Sequence, residues 1–344
     1  MVNSTRRGEI DPEILSLHRR TLVFDCLALN YVLDEPYLTR MRDGGVDVIN
    51  VTIASEESWD ETLRTTEECL GKIAGNPQLV QAVRSQDITA AKSGGKIAVI
   101  LGTQGASMLE TSLWRLELLH RLGFRYFGPA YTGATVFADG CGEFRDAGLS
   151  VLGRELIELA NELGIIVDMS HCGHRSRLEI AGLAKFPVCT HSNSYTVNPN
   201  DRNTRDEVVR LVAQKGGVMG ICGLVKSVWP EHATLEHMLD HLDHYVKLVG
   251  HEHVGLGLDF TEAYQEAYRA GNRNLAVVPK WRRLRPDIFG TSEEFFTLSY
   301  PAGLESIALL PGFTQGMKDR GYDEAAIAAV LGGNWLRHFK AANG

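Results

Sequence analysis

Eight short runs that are apolar at nearly every position recur along this chain, and most are followed by a segment with helical spacing. A run apolar at every position, rather than at alternate ones, is buried on both faces. That marks a strand of a parallel sheet covered by helices. The runs are Thr21–Leu27, Val46–Ile53, Lys96–Leu101, Arg125–Tyr131, Ile165–Ser170, Phe186–Thr190, Val218–Val225 and Val254–Phe260. Eight such units over about 260 residues predict a (β/α)8 TIM barrel, an α/β fold, here with a C-terminal helical extension. An open dinucleotide-binding sheet is disfavoured. Phe24-Asp25-Cys26-Leu27-Ala28 has none of the glycines that let a first βα turn approach a pyrophosphate.

The 344 residues read as one barrel domain, 1–344, with an irregular Arg-rich stretch at about 262–300 (Arg273, Arg282, Arg283, Arg285) covering the barrel mouth. A net charge of -8 without a basic patch argues against nucleic-acid partners. No apolar run approaches the roughly 20 residues of a membrane span. Met1 to Glu13 is polar, without a hydrophobic signal core, so the expectation is a cytoplasmic protein. Six scattered cysteines with no CxxC pair read as free thiols. Cys189 and Cys222 lie in core runs. Cys141, in Gly140-Cys141-Gly142-Glu143, is either an inert loop thiol or a candidate nucleophile.

In such barrels the chemistry sits where the strands end. Read in order, those ends give Asp25, Thr52, Gln104, Tyr131, His171, His191, Lys226 and Asp259. Two runs ending in histidine, Val167-Asp168-Met169-Ser170-His171 and Val188-Cys189-Thr190-His191, deliver two imidazoles to one end of the sheet. Neutral imidazoles are ligands for a divalent metal such as zinc. Asp259 is a candidate general base or ammonium anchor. Arg202 is either a fork for a substrate carboxylate or a cap for the helix near Thr204. His174 reads as a solvated or capping residue, and the histidines from His232 to His253 as mostly solvated surface.

Together with Gly148-Leu149-Ser150, Asp201-Arg202-Asn203, Val254-Gly255-Leu256-Gly257-Leu258-Asp259-Phe260 and Gly332-Gly333-Asn334-Trp335-Leu336, these segments resemble the renal (membrane) dipeptidase family, metallopeptidase family M19. The resemblance spans almost the whole chain. It implies an amidohydrolase-like barrel, often a homodimer, with two zinc ions sharing a bridging glutamate after the third strand. One zinc also takes the His and Asp of an HxD motif after the first strand. The other takes the histidines matched by His171 and His191. Substrate contacts match Arg202 and Asp259, with a further His after the fourth strand. This sequence departs at each remaining metal position. Leu27 and Leu29 replace the HxD ligands, Gln104 replaces the bridging Glu, and Tyr131 replaces the substrate-contacting His. The chain thus resembles a divergent bacterial branch with a degenerate metal site, holding at most one metal at His171 and His191, or none.

The first expectation is a hydrolase of an amide or peptide C–N bond in a small zwitterionic amino-acid-like substrate. Asp259, Tyr131 and Asp25 are its candidate catalytic groups. Arg202, Asp259, Tyr131 and Gln104 are its candidate substrate contacts. A metal-independent acid–base isomerase or lyase on the same barrel, and a non-catalytic binder of small ligands, remain as alternatives.

Overall fold

The computed structural model describes residues 10–260, 277–291, 294 and 300–344. Its framework is a closed parallel barrel. The strands are β1 Phe24–Leu29, β2 Val48–Ala54, β3 Leu79–Gln81, β4 Ile97–Thr103, β5 Phe124–Phe127, β6 Ile166–Asp168, β7 Pro187–Val188, β8 Met219–Ile221 and β9 Val254–Leu256. Their order is β7-β6-β5-β4-β2-β1-β9-β8, and a parallel bridge between Cys189 and Met219 closes the ring. Eight strands therefore form the barrel. β3 lies off this path, paired to the start of β4 below the point where β5 joins it.

All seven residues of β2 and all seven of β4 are buried, as runs without polar alternation require. Residues on alternate positions divide between two cores. Phe24, Cys26, Val48, Ala98, Ile100, Tyr126, Ile166, Val188 and Val218 pack with Trp335 and Phe339. The helix Asn334–Asn343 supplies those two rings, and the Trp335 indole N–H donates to Leu256 O at 2.9 Å. The opposite positions, Ile49, Val51, Val99 and Leu101 among them, join the larger core beneath the surrounding helices.

These helices begin and end on local signals. Ser58 caps Trp59–Gly75 in a reciprocal capping box with Glu61. Ser150 caps Val151–Leu163, which stops at left-handed Gly164. Asp11 caps Pro12–Arg20, and Pro12 sits in its first turn. Within the Arg-rich stretch, residues 261–276, Arg273 included, lie outside the described residues. Val277–Leu284 and Pro286–Phe289 are helical.

Two glycines set how closely the strand carrying His191 approaches its neighbours. A Cβ on Gly257 would lie 1.6 Å from Thr190 O, and one on Gly220 1.8 Å from the same oxygen. Neither strand can retreat without breaking the barrel's hydrogen bonding. Gly257→Ala is expected to cost about 3 kcal/mol or more, read as a lower urea midpoint.

Candidate active site

The site is built on β1 and on the segments that leave β4, β5, β6, β7 and β9. Asp168, the last residue of β6, holds two of them together. Its Oδ1 accepts from Ser170 N (3.0 Å), Ser170 Oγ (2.6 Å) and Thr190 N (2.9 Å), and its Oδ2 from Thr190 Oγ1 (2.6 Å). The single Thr190 hydroxyl proton is thereby committed to Asp168. The 2.6 Å contact between Thr190 Oγ1 and His191 Nδ1 must then be donated by the imidazole. His191 therefore carries its proton on Nδ1 and a lone pair on Nε2.

The same reasoning fixes His171. Arg202 Nη2 lies 3.2 Å from His171 Nε2, and a guanidinium only donates, so this nitrogen accepts. Nδ1 carries the proton, 3.3 Å from Thr132 Oγ1. The two Nε2 atoms stand 3.1 Å apart. The His191 lone pair thus faces a nitrogen whose own lone pair already accepts from Arg202, so a proton or cation between the two Nε2 atoms would have to displace that guanidinium contact. Burial, and then the charge of Arg202, hold both imidazoles well below the usual histidine range. Tyr131 stacks on His171 with ring centroids 4.0 Å apart.

Arg202 is buried, so the capping alternative does not describe it. It donates to Ser170 O and to His171, while its Nε is buried without a partner among the described residues. A buried donor without an acceptor is costly unless a ligand supplies one. Asp259 follows β9 with φ +51°, a strained conformation for a residue other than glycine. Tyr300 OH donates to its carbonyl. The protein around Asp259 pushes its carboxyl up to about 6, against the pull of Arg202.

Asp25 is not a strand end. It is the second residue of β1, and its Oδ1 accepts from Leu258 N at 2.7 Å and Leu27 N at 3.3 Å, tying β1 to β9 beneath Asp259. Burial chiefly, with the neighbouring Asp259 charge adding to it, pushes this carboxyl up to about 7. Its folded-state value lies above the unfolded one. Folding therefore takes up a proton, and the stabilisation present at low pH is lost as pH rises through about 7. Asp25→Asn keeps the acceptor and removes the charge, so it should flatten stability against pH between about 4 and 7; urea midpoints across that range provide the check.

Gln104 is buried and donates to Thr52 Oγ1 at 2.8 Å. Lys226 turns away, to Pro230 O and Glu294. Cys141 is buried and burial raises its thiol, which keeps it protonated. The histidine cluster needs one correction. His241 is buried, bonding Ser194 N and Val228 O, and burial depresses it to about 4. Arg177 escaped the sequence reading because a helical arginine looks solvated. Glu56 escaped it too, although its carboxylate receives both Lys280 Nζ (2.7 Å) and Trp281 Nε1 (2.8 Å).

The donor set does not fit a two-metal centre. Leu27 and Leu29 are buried hydrocarbon, and Gln104 is a neutral amide already bound to Thr52. Among the described residues no three His, Cys, Asp or Glu are grouped to hold a metal ion.

A closed (β/α)8 barrel with imidazoles, carboxylates and an arginine at its C-terminal mouth is an amidohydrolase-like scaffold. The chain belongs to the membrane dipeptidase family (peptidase family M19), whose model matches residues 32–270. It is 36% identical over 181 residues to an uncharacterized dipeptidase of Schizosaccharomyces pombe, covering 50% of this chain and 44% of that protein. It is 26% identical to mouse Dipeptidase 3 over 90% of this chain and 58% of that protein. The chain spans about half the length of the curated relatives it matches. A crystal structure of an amidohydrolase from Pseudomonas aeruginosa superposes with TM-score 0.85 at 25% identity, covering 96% of this chain and 99% of that one. A metallo peptidase from Rhodobacter sphaeroides, liganded with a phosphinate mimic of the dipeptide L-Ala-D-Ala, superposes at 0.77 with 21% identity over 94% of this chain and 99% of that one. Among the described residues no helix is long and apolar enough to cross a membrane.

Proposed function

We propose that this chain is a dipeptidase-like hydrolase of an amide or peptide C–N bond in a small zwitterionic amino-acid-like substrate. The observation that carries the reading is the coexistence of Arg202 and Asp259 beside the imidazole pair. Arg202 lies 3.2 Å from His171, its charge reaches Asp259, and its Nε has no partner among the described residues. That buried N–H is the donor offered to a substrate carboxylate. Asp259, ionised above about pH 6, accepts a proton from the attacking water as the new C–O bond forms. It returns the proton to the nitrogen as the C–N bond breaks, releasing an amine and a carboxylic acid. Tyr131 and Gln104 orient the substrate carbonyl at the same mouth. Asp25 fixes the β1–β9 seam on which Asp259 rides.

At most one divalent ion would be held, by His171 and His191 alone and in place of the Arg202 contact to His171, and no step here is routed through it. Two protein ligands bind weakly, so such an ion is readily lost. We place the protein in the cytoplasm as a homodimer and a single barrel domain, with the helices Val277–Leu284 and Pro286–Phe289 over the mouth. Buried free cysteines support a reducing compartment. Trp281 against Gly133 and Gly142 supports the covering role. The test of function is amine release from a dipeptide and N-acyl amino acid panel. Absence of product from every member would remove the hydrolase reading.

A further inference from the structure

On the far side of the loop that carries His171 lies a cavity of about 230 Å³. Cys141 lines it, and the Cys141 N–H donates to His171 O at 2.8 Å, so the cavity is separate from the imidazole pair but adjoins its backbone. Pockets for drug-sized ligands run to roughly 300–1,000 Å³. A space just below that range suits a ligand the size of a single amino acid.

Three features of the lining define what would fill it. The Arg205 guanidinium lies 4.1 Å over the Tyr195 ring, and among the described residues it has no hydrogen bond or ion pair. A cation held in place by stacking but lacking an anion is a ready carboxylate partner. Glu143 and Asp146 supply the opposite sign. Among the described residues their carboxylates accept only from backbone, Ala134 N at 3.0 Å and Arg175 N at 3.0 and 3.1 Å. The third feature is Phe144. It is 86% exposed, the most exposed large apolar side chain among the described residues. Its ring is nevertheless held, with Arg285 stacked at 4.5 Å. Arg285 is in turn anchored to Asp201 and Gly142 O. An immobilised aromatic face left in water at a cavity rim is suited to an apolar contact.

We infer that this cavity is a second binding site, for a free α-amino acid with an apolar side chain. Its carboxylate meets Arg205, its ammonium meets Glu143 and Asp146, and its side chain covers Phe144. The inference does not depend on the hydrolysis proposed above, because the site contains none of the groups assigned to that chemistry.

Calorimetric titration of the full chain with L-phenylalanine tests it. Phenylethylamine, 3-phenylpropionate and glycine each lack one of the three recognised parts. Saturable binding of L-phenylalanine is expected, with each analogue about tenfold or more weaker. Arg205→Gln and Phe144→Ala should each weaken L-phenylalanine binding about tenfold or more, and Arg205→Lys less than Arg205→Gln. Arg205 does not cap the helix Asp206–Gln214 through its side chain, so these variants keep the wild-type Tm. Asp259→Asn should bind L-phenylalanine as the wild type does. No binding to the wild type, unchanged affinity in both Arg205→Gln and Phe144→Ala, or loss of binding in Asp259→Asn would overturn the inference. The last outcome would place the amino acid in the barrel mouth instead.

Discussion

Asp259→Asn is expected to lower kcat/KM on a dipeptide or N-acyl amino acid by about 10²–10⁴-fold, the usual range for removing a general base. The fold should survive, because asparagine tolerates the φ of +51° at this position better than most residues. The side chain keeps its size and stays polar, and what is lost is the negative charge and the ability to take up a proton. The pH profile separates this role from a merely structural one. Burial raises the Asp259 carboxyl to about 6, so the carboxylate needed as base is lost as pH falls through that value. Wild-type kcat/KM should rise with pH across about 6 and level off above it. The residual activity of Asp259→Asn should lack that limb. If the variant keeps the same limb at full amplitude, Asp259 is not the base.

Arg177→Met is expected to cost about 3–5 kcal/mol of stability, the range for stranding the partners of a buried charge. The guanidinium is buried, and every bond it makes is to a backbone carbonyl. Nε donates to Met169 O at 3.2 Å, Nη1 to Asn203 O at 2.6 Å, and Nη2 to Ser170 O and Arg202 O at 2.8 and 3.1 Å. These carbonyls belong to the segments that follow β6 and β7, which carry His171 and Arg202. Methionine fills much of the volume but leaves the carbonyls without donors, so the loss is of hydrogen bonding more than of packing. A surface comparison sets the scale. Arg154, half exposed and paired with Glu179 at 3.2 Å, should cost no more than about 1 kcal/mol when replaced by methionine. Urea unfolding of the two variants side by side measures the contrast. A loss at Arg177 as small as at Arg154 would mean that the clamp does not hold the two segments.

The barrel was legible because burial on both faces leaves a direct trace in composition, as in Val48–Ala54 and Ile97–Thr103. Strand length was less legible. The run Val218–Val225 becomes only Met219–Ile221, and Arg125–Tyr131 becomes Phe124–Phe127. Apolar character continues into the turns that enter the site, while the hydrogen-bond ladder stops. β3 escaped because three residues on one side of β4 carry no periodic signal. At the site, His171, His191, Arg202 and Asp259 could be read as strand-end or loop residues with chemical side chains. The Asp168–Thr190 hydrogen bond that sets the His191 tautomer could not, since it joins residues 22 apart through a fold the sequence does not display. His241 shows the converse. Helical spacing placed it among surface histidines, whereas Ser194 and Val228 cover it.

The proposed hydrolysis of a C–N bond at this barrel mouth does without the binuclear centre. It is tested most directly by measuring amine release from a dipeptide panel on one protein sample, with bound metals quantified on that sample and Asp259→Asn run in parallel. Turnover is expected with at most one equivalent of divalent metal per chain, together with loss of that turnover in Asp259→Asn. Turnover that appears only when two equivalents are bound, or no turnover on any member of the panel, would contradict it.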